Sequence, residues 1–119
     1  MKWLALLALF FCLPLLAADI SGTWKGTAQT QNGPVERTFL FKVDGTKLTG
    51  ESSSEMFGKS TIEDGKVDGD NISFTLTINF HGNEGKVLYK GKVEGDVIKF
   101  TVEIPEYQQK IEYTAKRTT

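Results

Sequence analysis

The sequence predicts an all-β fold, an eight-stranded antiparallel up-and-down barrel, with a two-sheet β-sandwich as the alternative. Three observations carry this. Apolar and polar residues alternate with period two along most of the chain after residue 18, with β-branched and aromatic residues on one side. An acidic-Gly turn recurs three times, in Lys42-Val43-Asp44-Gly45, Lys66-Val67-Asp68-Gly69 and Lys92-Val93-Glu94-Gly95, with starts 24 and 26 residues apart. Nothing after residue 18 shows a helical period.

Strands are expected at Gly22–Gln31, Val35–Val43, Lys47–Ser53, Gly58–Val67, Asn71–His81, Lys86–Glu94, Val97–Ile104 and Gln109–Arg117. In the second, Phe39, Phe41 and Val43 face one way and Thr38, Leu40 and Lys42 the other. The third follows the first acidic-Gly turn, where Gly accepts positive φ and Asp tolerates it. The fourth contains Glu63-Asp64-Gly65, which reads as a bulge or bend. In the fifth, Ile72, Phe74, Leu76, Ile78 and Phe80 alternate with Ser73, Thr75, Thr77, Asn79 and His81. The sixth runs into the third acidic-Gly turn. The seventh alternates Ile98, Phe100, Val102 and Ile104 with Lys99, Thr101 and Glu103. The eighth puts Ile111, Tyr113, Ala115 and Arg117 on one face. Eight such strands joined by hairpins gain by closing, because a barrel has no exposed edges.

The first residues stand outside this pattern. Met1-Lys2, the uncharged run Trp3–Leu16 and then Ala17-Ala18 read as a secretory signal peptide over residues 1–18, leaving one domain at 19–119. The cut falls after Ala18 or Ala17. The run is short for a membrane span of about 20 residues. Cys12 lies inside it behind Phe10 and Phe11, which is not a lipidation context. The remaining 101 residues therefore have no cysteine and no disulfide. A formal net charge of −1 excludes a nucleic-acid binder that works through bulk basicity. The expected location is secreted or periplasmic.

Ser21-Gly22-Thr23-Trp24, Asp44-Gly45-Thr46-Lys47-Leu48-Thr49-Gly50-Glu51-Ser52 and Arg117 resemble the avidin/lipocalin (calycin) superfamily. There the first-strand Trp packs under a basic residue of the last strand and plugs one end of the barrel, a role the resemblance gives to Trp24 and Arg117. The whole segment after residue 18 also resembles a small secreted bacterial β-barrel domain found alone or appended to glycoside hydrolases. The marks are Gly22-Thr23-Trp24, Phe41-Lys42-Val43-Asp44-Gly45, the run from Ile62 to Asp70, and Thr114-Ala115-Lys116-Arg117. That resemblance implies no activity, and association with secreted carbohydrate-active enzymes is the partner it implies. Lys25-Gly26-Thr27-Ala28 stands where avidins carry polar ligand-binding residues, so biotin binding is not implied.

Strand geometry places Trp24 and Arg117 at one rim independently, since the first strand of such a barrel begins where the last ends. Cation–π stacking there is worth about 0.5–2 kcal/mol. The acidic-Gly turns share this rim and make it the tight end. The other rim collects longer, more varied loops, and a small-molecule site is expected there among Arg37, Phe57, Phe80, Tyr107 and Gln109. Arg37 shares parity with Phe39. It either holds an anionic ligand group or reaches out to water with its stem on Phe39, and the second is the simpler reading. Phe41, Phe74, Phe100 and Tyr113 are placed deeper, against small residues at Gly26, Ala28, Gly50 and Gly91. An eight-stranded barrel is either just filled by side chains or holds one small ligand.

Catalytic chemistry finds little support. His81 is the only histidine, at a strand end, without the partners of a metal site. No nucleophile–His–acid set exists. Glu51, Glu55, Glu63, Asp64 and Glu112 are mostly outward or in turns and do not form a glycosidase pair. The acidic-Gly turns lack the oxygens and distal Glu of a calcium loop. Asn71-Ile72-Ser73 matches a glycosylation sequon but reads as a strand start. The sequence therefore points to a non-catalytic domain without cofactor or metal. Its expected role is to bind a small apolar or amphipathic ligand at the open rim. The alternative is an accessory module with no internal pocket, working through its outer surface.

Overall fold

A computed structural model describes residues 19–30, 33–80, 82–105 and 108–118. The signal-peptide reading at 1–18, His81 and Tyr107 lie outside the described residues, as does the side chain of Phe80. Nine strands follow in chain order: β1 (Gly22–Thr30), β2 (Gly33–Asp44), β3 (Lys47–Ser54), β4 (Gly58–Thr61), β5 (Glu63–Asp68), β6 (Asn71–Phe80), β7 (Asn83–Glu94), β8 (Val97–Ile104) and β9 (Gln109–Arg117).

Each strand pairs antiparallel with its neighbours, and β1 closes on β9 through Trp24 opposite Arg117 and Thr27 opposite Thr114. The result is a closed eight-stranded up-and-down barrel, not a two-sheet sandwich. The ninth strand arises because the expected fourth strand is split. β4 pairs with β3 through Glu51 to Ser54, whereas β5 pairs with β3 only at Lys47 and Leu48. Between them the chain bends at Ile62, whose amide donates to the Gly50 carbonyl at 2.9 Å. Asp64 takes φ 52°, and the register against β6 shifts between Glu63 and Lys66. Glu63-Asp64-Gly65 is thus a bulge inside β5, and the strand divides just before it, at Ile62.

The two rims differ less than the sequence implies. β2 begins at Gly33 and β7 at Asn83, so residues expected in open-rim loops extend the strands instead. Pro34 fits because it stands second in its strand, where a missing amide costs little.

Side chains fill the barrel from the tight end upward. Phe39 is fully buried, with its ring centroid 5.5 Å from Phe41, 5.7 Å from Tyr89 and 5.3 Å from Phe100. Phe74 stacks on Tyr89 at 4.8 Å. Such pairs contribute about 0.5–1.5 kcal/mol each beyond their buried area. Two glycines make room for the rings. A Cβ on Gly26 would stand 2.9 Å from Phe39, and one on Gly91 would stand 2.7 Å from Phe100. At Gly50 the nearest neighbours are backbone atoms, and the glycine lets β3 press against the backbone of Leu40.

Candidate functional site

The tight end is plugged. The Arg117 guanidinium carbon lies 4.5 Å from the centroid of the fully buried Trp24 ring. Arg117 also donates to the carbonyls of Ser21 (3.0 Å) and Asp19 (3.2 Å) and pairs with the Asp96 carboxylate at 3.3 Å. The Trp24 indole N–H donates to the Ile20 carbonyl at 2.8 Å, and the Ile20 side chain is fully buried. The residues before β1 therefore belong to the plug. Sequence reasoning missed Ile20, because a single apolar residue ahead of the first strand carries no period.

At the other end the interior changes character. Arg37 points inward from β2 and is only 3% exposed, which overturns the expectation that it reaches water. Its Nη1 donates to the Ser52 hydroxyl at 3.0 Å and its Nη2 to the Ser54 hydroxyl at 3.3 Å. Parity gives a side chain's direction but not its depth. Depth here comes from the β3–β4 hairpin, which folds over Arg37 and supplies both serines. Ser54 also accepts from the Phe57 amide at 3.0 Å, which brings Phe57, half-buried, against the core.

The tyrosines complete the cluster. Burial pushes the Tyr113 hydroxyl up, partly offset by the Arg37 guanidinium beside it. Burial pushes Tyr89 up further, again against the opposing effect of Arg37. Both stay protonated at neutral pH, so neither neutralises the arginine. The ion pairs among the described residues all lie elsewhere: Lys25–Glu36, Lys59–Glu51, Lys86–Glu63, Lys99–Glu94 and Arg117–Asp96. Among the described residues, the guanidinium inside the barrel is thus held by neutral hydroxyls alone. Buried charges are ordinarily paired, because desolvating an ion is costly.

The remaining expected site residues are scattered. Gln109 is exposed at the start of β9, past the point where parity implies burial, so it does not line the interior. Phe80 pairs through its backbone with Asn83. Of the acidic residues, Glu63 accepts from the Thr77 hydroxyl (2.7 Å) and from Lys86 (2.8 Å) on the outer wall, and the Lys86 bond holds its carboxyl below the usual range. Glu51 pairs with Lys59 at 3.5 Å, while Glu55, Asp64 and Glu112 are exposed. Ser52 and Ser54 are the site residues the sequence did not flag; a run of serines in a strand looks like solvated surface until its partner is known. No family model, curated protein or solved structure matches this chain.

Proposed function

We propose that this chain is a secreted, non-catalytic, calycin-like barrel that binds one small amphipathic ligand at the end opposite the Trp24–Arg117 plug. The ligand's polar end is anionic. One observation carries the reading: Arg37 is buried among Ser52, Ser54, Tyr113 and Tyr89 with no carboxylate among the described residues to neutralise it. A bound anion would supply the missing charge and form charge-assisted hydrogen bonds with the guanidinium.

Calorimetry with fatty acids, aromatic acids and short oligosaccharides tests this. An acid is expected to bind, and Arg37→Ala to weaken it at least about tenfold, since hydrogen bonds to charged groups contribute about 1.5–3 kcal/mol. Equal binding by wild type and variant contradicts the reading.

A second reading has its own support. The aromatic cluster around Phe39 fills much of the interior, as expected of an accessory module acting through its outer wall beside carbohydrate-active enzymes. Binding of oligosaccharides alone, unaffected by Arg37→Ala, favours that role. Secretion is tested separately by intact mass of exported protein, expected to start at Asp19 or Ala18. A chain beginning at Asp19 keeps both Ile20 and the Asp19 carbonyl that Arg117 holds. An exported chain that still starts at Met1 overturns it.

A further inference from the structure

The wall of the barrel parts beside Arg37. β2 pairs with β3 only as far as Thr38 opposite Ser53, yet β2 continues to Gly33 with β1 as its partner. Between this stretch of β2 and the β3–β4 hairpin lies a groove of about 600 Å³, within the usual range for small-molecule sites. Pro34, Val35 and Met56 are the apolar part of a mixed lining that also includes Lys25, Glu36 and Glu55, and Met56 is 71% exposed. Ser54 lies at its inner side, and the Ser54 hydroxyl is the one that Arg37 Nη2 reaches at 3.3 Å. One hydroxyl therefore separates the groove from a guanidinium that no carboxylate neutralises among the described residues.

The parting has a cause in the sequence. If the register continued past Thr38 and Ser53, Glu36 would stand opposite Glu55. Like charges directly opposite each other disfavour strand pairing. Glu36 turns instead to Lys25 on β1, at 3.4 Å. On its other side the hairpin is also loosely held. β4 makes no ladder pairs with β6 among the described residues, and the Ser60 hydroxyl donates to the Thr77 carbonyl at 2.9 Å in their place.

We propose that this lateral groove is the ligand's seat and that its occupant is an amphipathic carboxylate, with its tail along Val35 and Met56 and its single charge on Arg37. The inference rests on the ligand-binding reading above and replaces an axial mouth with a side entrance. A carboxylate fits better than a phosphate monoester. One guanidinium neutralises one charge, and a dianion would leave the second desolvated without a partner. Lys25 and Glu36 pair with each other, Glu55 on the hairpin is exposed to water, and Arg37 is the buried cation with no carboxylate partner among the described residues. An acid with an extended apolar chain can lie along Pro34, Val35 and Met56, the apolar side of the groove, with its charge toward the cation behind Ser54.

Calorimetry with decanoate, decanol and decyl phosphate tests the ligand class. Decanoate is expected to bind at least tenfold tighter than decanol and tighter than decyl phosphate. Arg37→Met should erase the preference for decanoate over decanol. The place is tested by the double variant Glu36→Cys and Glu55→Cys, whose disulfide closes the parting. Oxidation should weaken decanoate at least tenfold and reduction should restore it. Met56→Asp, at an exposed position, should weaken decanoate without lowering the melting temperature. Equal affinity for decanoate and decanol in wild type overturns the carboxylate. Unchanged decanoate binding in the oxidised pair, or in Met56→Asp, overturns the groove, while an acid that still depends on Arg37 leaves the ligand-binding barrel standing with its mouth at the rim. If none of the three probes binds, the inference falls, and the broader reading falls with it only if the acids of the wider panel fail too.

Discussion

Trp24→Ala is expected to unfold the domain or leave it barely stable. Truncating a fully buried Trp typically costs about 3–5 kcal/mol, and a domain of this size has about 5–10 kcal/mol in total. Three contacts go at once. The indole ring that fills the tight end is lost, the Ile20 carbonyl loses its donor at 2.8 Å, and Arg117 loses the face it covers at 4.5 Å. Ile20, buried against that end, is left beside a cavity. Thermal denaturation followed by circular dichroism should show a drop of about 12 °C or more, given about 4–8 °C per kcal/mol for a domain near 100 residues. A shift of only a few degrees contradicts the plug. Arg117→Ala is the graded control, expected to cost about 1–2 kcal/mol, because its partly exposed side chain keeps only a share of the full cation–π value.

The plug was legible because it depends only on quantities that a sequence carries. Period-two alternation gives the inward face, and closure of an even number of antiparallel strands brings the first strand's start to the last strand's end. Trp24 and Arg117 then meet without any knowledge of side-chain conformation. Arg37 shows where such reasoning stops. Its inward direction follows from Phe39 and Phe41, but its burial depends on how far the hairpin through Ser54 and Phe57 leans over it. That lean is set by where the β2–β3 ladder ends, a competition among turn geometry, the bend at Ile62 and the two glutamates that would face each other. Gln109 errs the other way: it has the parity of Tyr113 but stands beyond the last full layer of the barrel. The split between β4 and β5 was half-visible, since Glu63-Asp64-Gly65 marks an irregularity without saying whether the ladder to β6 survives it.

Gly50→Ala is expected to be about as damaging as Trp24→Ala, although it adds only a methyl group. Gly50 sits in β3 opposite Phe41 with φ +137°, a conformation that L side chains rarely adopt. A Cβ built there would fall on the Leu40 carbonyl oxygen and lie 3.0 Å from its carbon. Neither atom is the end of a flexible side chain. Both belong to the backbone of the paired strand, so β2 and β3 must separate or β3 must change its backbone angles. The Gly50 carbonyl also accepts from the Ile62 amide at the bend between β4 and β5, so a shift passes into the hairpin that covers Arg37. Backbone strain of about 1–3 kcal/mol and overpacking of about 1–3 kcal/mol together give a loss of about 3 kcal/mol or more. Gly45→Ala separates the two contributions. Gly45 has φ +65° in the first acidic-Gly turn, but nothing lies within 4 Å of its added Cβ. It should cost only about 1 kcal/mol, the penalty for a left-handed residue with open space around it. Urea denaturation of both variants decides this: similar midpoints would mean that the close approach of β3 to Leu40 does not constrain the barrel. A much lower midpoint for Gly50→Ala would mean that the glycine lets the strand curve inward, toward the bend from which β4 continues into the hairpin that supplies Ser54.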